Sequence, residues 1–382
     1  MSSSRAPGAP ASRGEIVVSV YGRSDVGRAR EHNEDAFAVA DLTNGSVILA
    51  PETNTYRPGD RGMLFMVADG MGGAAAGELA SAMAVDVVVD ELKSRWTGAN
   101  RRDPDAFALG LRGATETANT MIHRFATEHP EHRGMGTTAT IAGLLGDTLY
   151  LAQVGDSRAY LVRHGVAHQI TKDQSLMQKL IEAGEMTAEE AEHSERRNII
   201  LQALGPEAVV RTDLTHQRIR RGDTLVLCSD GLSGQIKVED IARVMAEEPR
   251  LDRACDRLID LANDNGGPDN ITIVAARFEG SGLPPATAED PVGHEVYPIA
   301  DDATPAVPME RFVSLTATTA EIATPTPPPA PPPLITKTPI PTRPAAAASA
   351  ADGRGTPVLL VVGLVALVAL VAVVAYRYVT QQ

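Results

Sequence analysis

TLYLAQVGDSRAYLVRHGVAHQIT, residues 148–171, places apolar, β-branched runs end to end with only turns between them. The turns fall at Gly155-Asp156-Ser157 and at His164-Gly165, where glycine and small polar residues suit a reversal of the chain. Similar runs at 15–22, 35–40, 63–68, 137–144, 210–219, 224–229 and 271–278 predict further strands. Two long helical patterns interrupt them, at 77–96 and at 104–128, the second opened by Asp103 as N-cap before Pro104. Shorter helices fit 173–183, 187–193, 238–247 and 252–264. Strands in hairpin-like runs with helices set apart point to an α+β fold built on antiparallel sheet, rather than to alternating βαβ units.

A recurring pattern marks the ends of these strands. An apolar strand stops and an aspartate beside glycine or asparagine follows at once. It occurs at Asp69-Gly70 in FMVADGMGG, Gly155-Asp156 in LAQVGDSR, Asp230-Gly231 in LVLCSDGL, and Asp269-Asn270 in GGPDNITIV, where it opens a strand. A single Asp-Gly pair is an ordinary turn. Several at one sheet edge would crowd carboxylates that repel one another. Hard divalent cations such as Mg²⁺ or Mn²⁺ relieve that repulsion because they prefer oxygen ligands. The spacing by itself leaves plain turns and a metal site both open and names no reaction.

The flanks differ from this core. The chain has 382 residues, 43% hydrophobic and 22% charged, which is globular composition and excludes a wholly disordered or fibrous protein. A net charge of −14 disfavours nucleic acid as a partner. The two cysteines, Cys228 and Cys255, lie in no CxxC or Cys/His cluster and read as reduced interior thiols. Residues 1–14 read as a disordered arm without a secretory signal, and 15–279 as the folded domain. Residues 280–356 read as a Pro-rich disordered linker, with ten prolines between Pro325 and Pro344. Residues 357–376 read as a transmembrane helix and 377–382 as a short tail. The uncharged run Val358–Tyr376 is nineteen residues long, enough for about 28 Å of helix. Arg343 and Arg354 before it, against Arg377 after it, favour a single-pass cell-membrane protein with its folded part in the cytoplasm.

Taken in order, SDVGRAREHNEDAF, VADGMGG with GELAS, GMGTTAT, VGDSRAYL, ITKDQS, LQALG, LCSDGL and GGPDNITIVA resemble the metal-dependent serine/threonine protein phosphatases, the PPM or type-2C family, in their bacterial branch. The match covers about 16–279. The resemblance implies a four-layer α-β-β-α sandwich, two antiparallel sheets flanked by helices. It implies two Mn²⁺ or Mg²⁺ ions and a third, weaker one. By matching position, Asp69 bridges two ions, Asp230 and Asp269 complete one, and the Gly70 carbonyl binds the other. Asp35 holds ion-bound waters, Asp156 serves the third ion, and Arg30 binds the substrate phosphate. Residues 172–203 match a flap beside the cleft.

The implied reaction is hydrolysis of phosphoserine and phosphothreonine on proteins by water activated between the ions, without a phospho-enzyme. Arg30, Asp35 and Asp69 carry the catalytic roles. Eukaryotic members have histidine where this chain has Met71, and a thioether donates no proton. Expected partners are phosphorylated proteins, including Ser/Thr kinases and their substrates, for a catalytic part acting as a monomer in signalling. The competing readings are a catalytically silent phosphopeptide-binding module and a membrane scaffold that recruits partners through its prolines. Retention of all five aspartates speaks against the silent module.

Overall fold

The computed structural model of the chain describes residues 14–72, 76–96, 98, 103–194 and 196–299. The arm up to residue 13, the linker beyond 299 and the apolar stretch 357–376 lie outside them. Among the described residues no helix is long and apolar enough to cross a membrane.

In chain order the strands are β1 (Val17–Asp25), β2 (Asp35–Asp41), β3 (Val47–Ile48), β4 (Glu52–Tyr56), β5 (Met63–Met71), β6 (Gly136–Thr137), β7 (Ala139–Leu145), β8 (Thr148–Val154), β9 (Arg158–Arg163), β10 (Val166–Gln169), β11 (Asp213–Arg218), β12 (Thr224–Cys228) and β13 (Ile271–Glu279). The helices are α1 (Ala76–Glu91), α2 (Pro104–Glu128), α3 (Leu176–Glu182), α4 (Ala188–Glu192), α5 (Asp230–Ser233), α6 (Val238–Glu247) and α7 (Leu251–Asp264). One sheet runs β10-β9-β12-β13-β1-β4 and the other β11-β8-β7-β5-β2-β3, with β6 pairing to β5. Every strand pairing is antiparallel.

The alternation of side chains along the strands explains the layers. Val18, Val20, Phe37, Val39, Phe65, Val67, Leu161, Leu227 and Phe278 point from the two sheets into one buried core. Phe65 and Phe278 meet edge to face there, with centroids 6.4 Å apart. The opposite face of the β5-containing sheet is covered by α1 and α2, and that of the β13-containing sheet by α6 and α7. Helix α1 buries Ala80, Ala84, Val85, Val88 and Val89. Small residues on that stripe let it lie close to the strands. Asp103 caps α2 by accepting the Ala106 N–H at 2.9 Å. Both cysteines are buried and free.

The strand and helix boundaries differ from expectation in a few places. The long helix expected to reach 96 is regular only to Glu91 and continues as one π turn, Leu92–Trp96. The short strands β3 and β4 are additional, being too brief or too polar to show in the apolar pattern, and β10 is the short second arm of the hairpin at His164-Gly165. The turn at His164-Gly165 has positive φ at both residues, +53 and +76, and joins β9 to β10. That is the backbone a tight hairpin needs.

The boundary expected at 279/280 moves outward. Residues 280–299 lie along the domain. Arg220 of the β11–β12 loop grips Asp290 at 2.5 Å, and Arg163, paired with buried Asp223 (2.6 Å), also donates from its guanidinium to the Asp290 carbonyl. Further on, His216 donates its backbone N–H to Glu295 (2.9 Å) and Tyr297 donates to Leu214 (2.9 Å). The chain thus forms a strap over the outer edge of β11. The Tyr297 ring packs on Tyr150 and His216. Proline content alone had suggested an unpacked spacer, but 280–299 carries apolar and ion-pairing groups among its prolines.

Candidate metal centre

The aspartates that end strands come to one pole of the sandwich. Asp35 opens β2 and Asp69 lies near the end of β5. These strands are antiparallel in a register that sets Asp35 directly opposite Asp69. Asp156 follows β8, while Asp230 follows β12 and Asp269 precedes β13 in the other sheet. The sheets are joined at this pole by Ser229, which donates from its hydroxyl to Asp35 at 2.8 Å and accepts the Thr272 N–H at 3.0 Å. Asn270 adds a second tie. Its amide accepts the Glu34 N–H at 2.7 Å and donates to the carbonyls of Val26 and His32.

The backbone around Gly70 is tightly enclosed. A Cβ at Gly70 would sit 2.2 Å from the Gly77 carbonyl oxygen and 2.4 Å from that of Glu34. Only glycine fits so close an approach. Gly231, beside Asp230, is held the same way, because its Cβ would lie 2.0 Å from the Asn270 carbonyl oxygen. Asp69 is fixed through its own backbone. Its N–H donates to the Thr138 hydroxyl (3.0 Å), and its carbonyl accepts from the Thr138 N–H (2.8 Å) and the Thr137 hydroxyl (2.9 Å). The Thr138 hydroxyl in turn meets the Ser157 hydroxyl at 2.8 Å, beside Asp156.

Burial pushes the Asp35 carboxyl up to about 7, and the charges of Asp230 and Asp269 push the same way. Burial also carries Asp156 to about 7, with Asp230 and Asp173 adding repulsion. Asp69 is held well above the ordinary carboxylate range by burial and then by Asp35, Asp230, Asp156 and Asp269 together. Asp230 is raised by burial and by Asp269, although it shares a hydrogen bond with Asp69. Asp69 therefore feels the charge of all four others, and Asp35 and Asp156 both feel that of Asp230. Among the described residues, no three His, Cys, Asp or Glu side chains already form a group able to hold an ion. Strand register, not a finished cage, brings these carboxylates together against their mutual repulsion.

The donor set consists of carboxylate oxygens and backbone carbonyls, without histidine or thiolate, on a rigid edge. That chemistry fits hard divalent cations. Arg30 stands at the rim, about half exposed, with its guanidinium on Asp269 at 2.7 Å. It is within reach of the site but paired across it. Ser229, Thr272, Thr137 and Thr138 are not singled out by the sequence, and Asn270 enters there only as the neighbour of Asp269. Each adjoins or lies near an aspartate motif, which was the available signal, but hydroxyl and amide residues are too common in turns to stand out.

Residues 53–272 match the protein phosphatase 2C family. The chain belongs to that family. It is 36% identical over 252 residues to the serine/threonine phosphatase stp of Listeria monocytogenes, covering 66% of this chain and 92% of that protein. Among solved phosphatase 2C relatives, the serine/threonine phosphatase of S. agalactiae is 33% identical with a TM-score of 0.60, covering 68% of this chain and 99% of that one. The catalytic domain of the phosphatase PstP in complex with two manganese ions is 33% identical with a TM-score of 0.56, covering 69% and 99%. The expected two antiparallel sheets with flanking helices are thus the fold of this phosphatase family.

Proposed function

We propose that the protein is a serine/threonine phosphatase of the 2C type that hydrolyses phosphoserine and phosphothreonine on proteins at the aspartate-lined pole. The observation that carries the reading is the set of five aspartates, with Asp35, Asp156, Asp230 and Asp269 gathered around Asp69, held at one pole by the ends of strands from both sheets. Asp69, Asp230 and Asp269, with the Gly70 carbonyl, would hold two Mn²⁺ or Mg²⁺ ions, and Asp35 would orient water beside them. Asp156 would serve a third, weaker ion. Ions bound there supply Lewis acidity toward phosphoryl oxygens and make water acidic enough to attack at neutral pH.

The protein's own contribution is placement and charge. Ser229 and Thr272 fix the Asp35 carboxylate, and Thr137 and Thr138 fix the backbone that carries Asp69. Arg30 can exchange Asp269 for two phosphoryl oxygens, because its planar fork suits bidentate binding. Neither cysteine serves as nucleophile. Burial raises both thiols, Cys228 to about 12 and Cys255 further.

Tethering belongs to the same proposal. The uncharged run Val358–Tyr376 and the arginines before it support a single-pass anchor with the catalytic part in the cytoplasm. Membrane-bound Ser/Thr kinases and their substrates are the fitting partners. The test is a chelation and Mn²⁺ add-back assay on the full chain, with a phosphothreonine peptide and a phosphotyrosine control. The expected result is loss of phosphothreonine hydrolysis in chelator and recovery with Mn²⁺. Full activity after exhaustive chelation would overturn the assignment.

A further inference from the structure

Acid outnumbers base in this chain, 49 residues to 35. An arginine on such a surface has carboxylates to choose from, and many of the described ones take one. Arg23 holds Asp256 at 2.6 Å, Arg158 holds Asp173 at 2.7 Å, and Arg243 holds Asp240 at 2.7 Å. The pole that gathers the aspartates departs from this habit. Among the described residues, Arg28, Arg133, Arg196 and Arg211 lie exposed on its loops without a side-chain ion pair. Arg218, Arg221 and Arg253 also lack an acid, but they sit at the ends of β11, β12 and α7 that point away from this pole.

Two of these arginines stand on fixed backbone to either side of the strand end that carries Asp69 and Gly70. On one side Gly70 donates its N–H to the Glu34 carbonyl at 3.1 Å, and on the other Gly70 and Met71 pair with Thr137 and Gly136. Arg28 belongs to the first flank. Its N–H and that of Ala29 converge on the Gly267 carbonyl (2.7 and 3.2 Å), and a Cβ at Gly27 would lie 2.1 Å from the Asp269 carbonyl oxygen. Arg133 belongs to the second flank, three residues before Gly136. Its N–H donates to the Pro130 carbonyl at 3.2 Å, and that of Met135 to His132 at 3.0 Å.

The acids of the Arg28 loop are already engaged. Asp25 accepts from Asn263 and Gly27 and pairs with Arg23, and Asp269 pairs with Arg30. Arg28 is therefore not there to neutralise its own loop. In an extended peptide the second and third neighbours of a phosphorylated residue lie about 7–10 Å from it, the zone that loops bordering the cleft can serve. A net charge of −14 repels an acidic peptide as a whole. Local cations within a Debye length, about 8 Å at physiological salt, reverse that at the cleft.

We propose that Arg28 and Arg133 are specificity-determining residues that flank the cleft and select phosphoproteins with acidic side chains two or three positions to either side of the phosphorylated residue. The proposal rests on the phosphatase reading of the aspartates and names its substrate class. Arg30 meets the phosphoryl group, while Arg28 and Arg133 meet carboxylates of the flanking sequence.

The test uses the full chain with Mn²⁺ and three phosphothreonine peptides that differ only in those flanking positions, which carry Glu, Ala or Lys. The wild type should show a kcat/KM at least about fivefold higher on the Glu peptide than on the Ala peptide, and lowest on the Lys peptide. Raising NaCl from about 50 to about 500 mM should shrink that preference. Arg28→Ala with Arg133→Ala should bring the Glu-to-Ala ratio below about twofold, with the loss in KM. Arg28→Glu with Arg133→Glu should turn the preference toward the Lys peptide, a gain that a damaged fold cannot produce. A wild type that hydrolyses all three peptides equally overturns the proposal and leaves the phosphatase reading standing. Wild-type ratios in both double variants overturn it as well. A wild type that hydrolyses none of the peptides with Mn²⁺ overturns the phosphatase reading, and the assignment of the two arginines falls with it.

Discussion

Removing divalent ions should invert the protein's response to acid. Asp35 and Asp156 are each pushed from the usual 3.8 up to about 7 by burial and neighbouring carboxylates. In that range the folded chain binds more protons than the unfolded one, so stability is greatest at low pH and falls as pH rises toward 7. At about 1.4 kcal/mol per pH unit, each group costs the chelated fold roughly 2–3 kcal/mol between pH 5 and pH 8. Together they amount to about 5 kcal/mol, or on the order of 10 °C in melting temperature for a domain of this size. Carboxylates whose affinity is lowered, such as Asp25 and Asp290, act only below about pH 4 and do not enter this window. The assay is a thermal melt in excess chelator across pH 5–8, repeated with Mn²⁺. The chelated protein should melt lowest at pH 8, and Mn²⁺ should stabilise it most there. Asp156→Asn should raise the chelated melting temperature at pH 8. A chelated protein whose melting temperature is flat or climbs from pH 5 to pH 8 would refute the picture of desolvated, mutually repelling carboxyls.

Asp230→Asn should lower kcat on a phosphothreonine peptide by at least about two orders of magnitude, measured at saturating Mn²⁺, because it removes ligand charge from an electrostatic phosphoryl transfer. Gly70→Ala should yield little folded protein, since its methyl would lie 2.2 Å from a backbone oxygen; circular dichroism and soluble yield report it. Arg163→Met should destabilise by about 3–5 kcal/mol in urea melts, because Asp223, 1% exposed, would be left as an unpaired buried charge. Restoring neutrality with Asp223→Leu in the same chain should recover a large part of that loss.

The antiparallel class, both long helices and the hairpin around His164-Gly165 could be read from the chain because each rests on local signals: alternation, an N-cap and a turn with positive φ. Four of the clustered aspartates, Asp69, Asp156, Asp230 and Asp269, stood out at strand ends, whereas Asp35 came from the family resemblance, and the meeting of the five was not legible. Asp35 and Asp69 are 34 positions apart in sequence, and only strand register sets them opposite each other. The four-layer stacking came from resemblance rather than from periodicity, since a strand buried on both faces carries no alternation to read. The strap was missed for a related reason. Its anchors, Asp290 and Tyr297, are single residues whose partners lie scattered from Asp105 to Arg220.

That strap bears on any attempt to isolate the catalytic part. Shortening the chain at Gly280, where the proline-rich composition begins, would strip the outermost sheet edge of its cover. The backbone N–H of His216 and the carbonyl of Leu214 would lose their mates, and the Tyr150 ring would lose the Tyr297 ring that packs on it. Bare edges of this kind recruit other strands. A fragment ending there should self-associate, and one ending after Ile299 should stay dispersed.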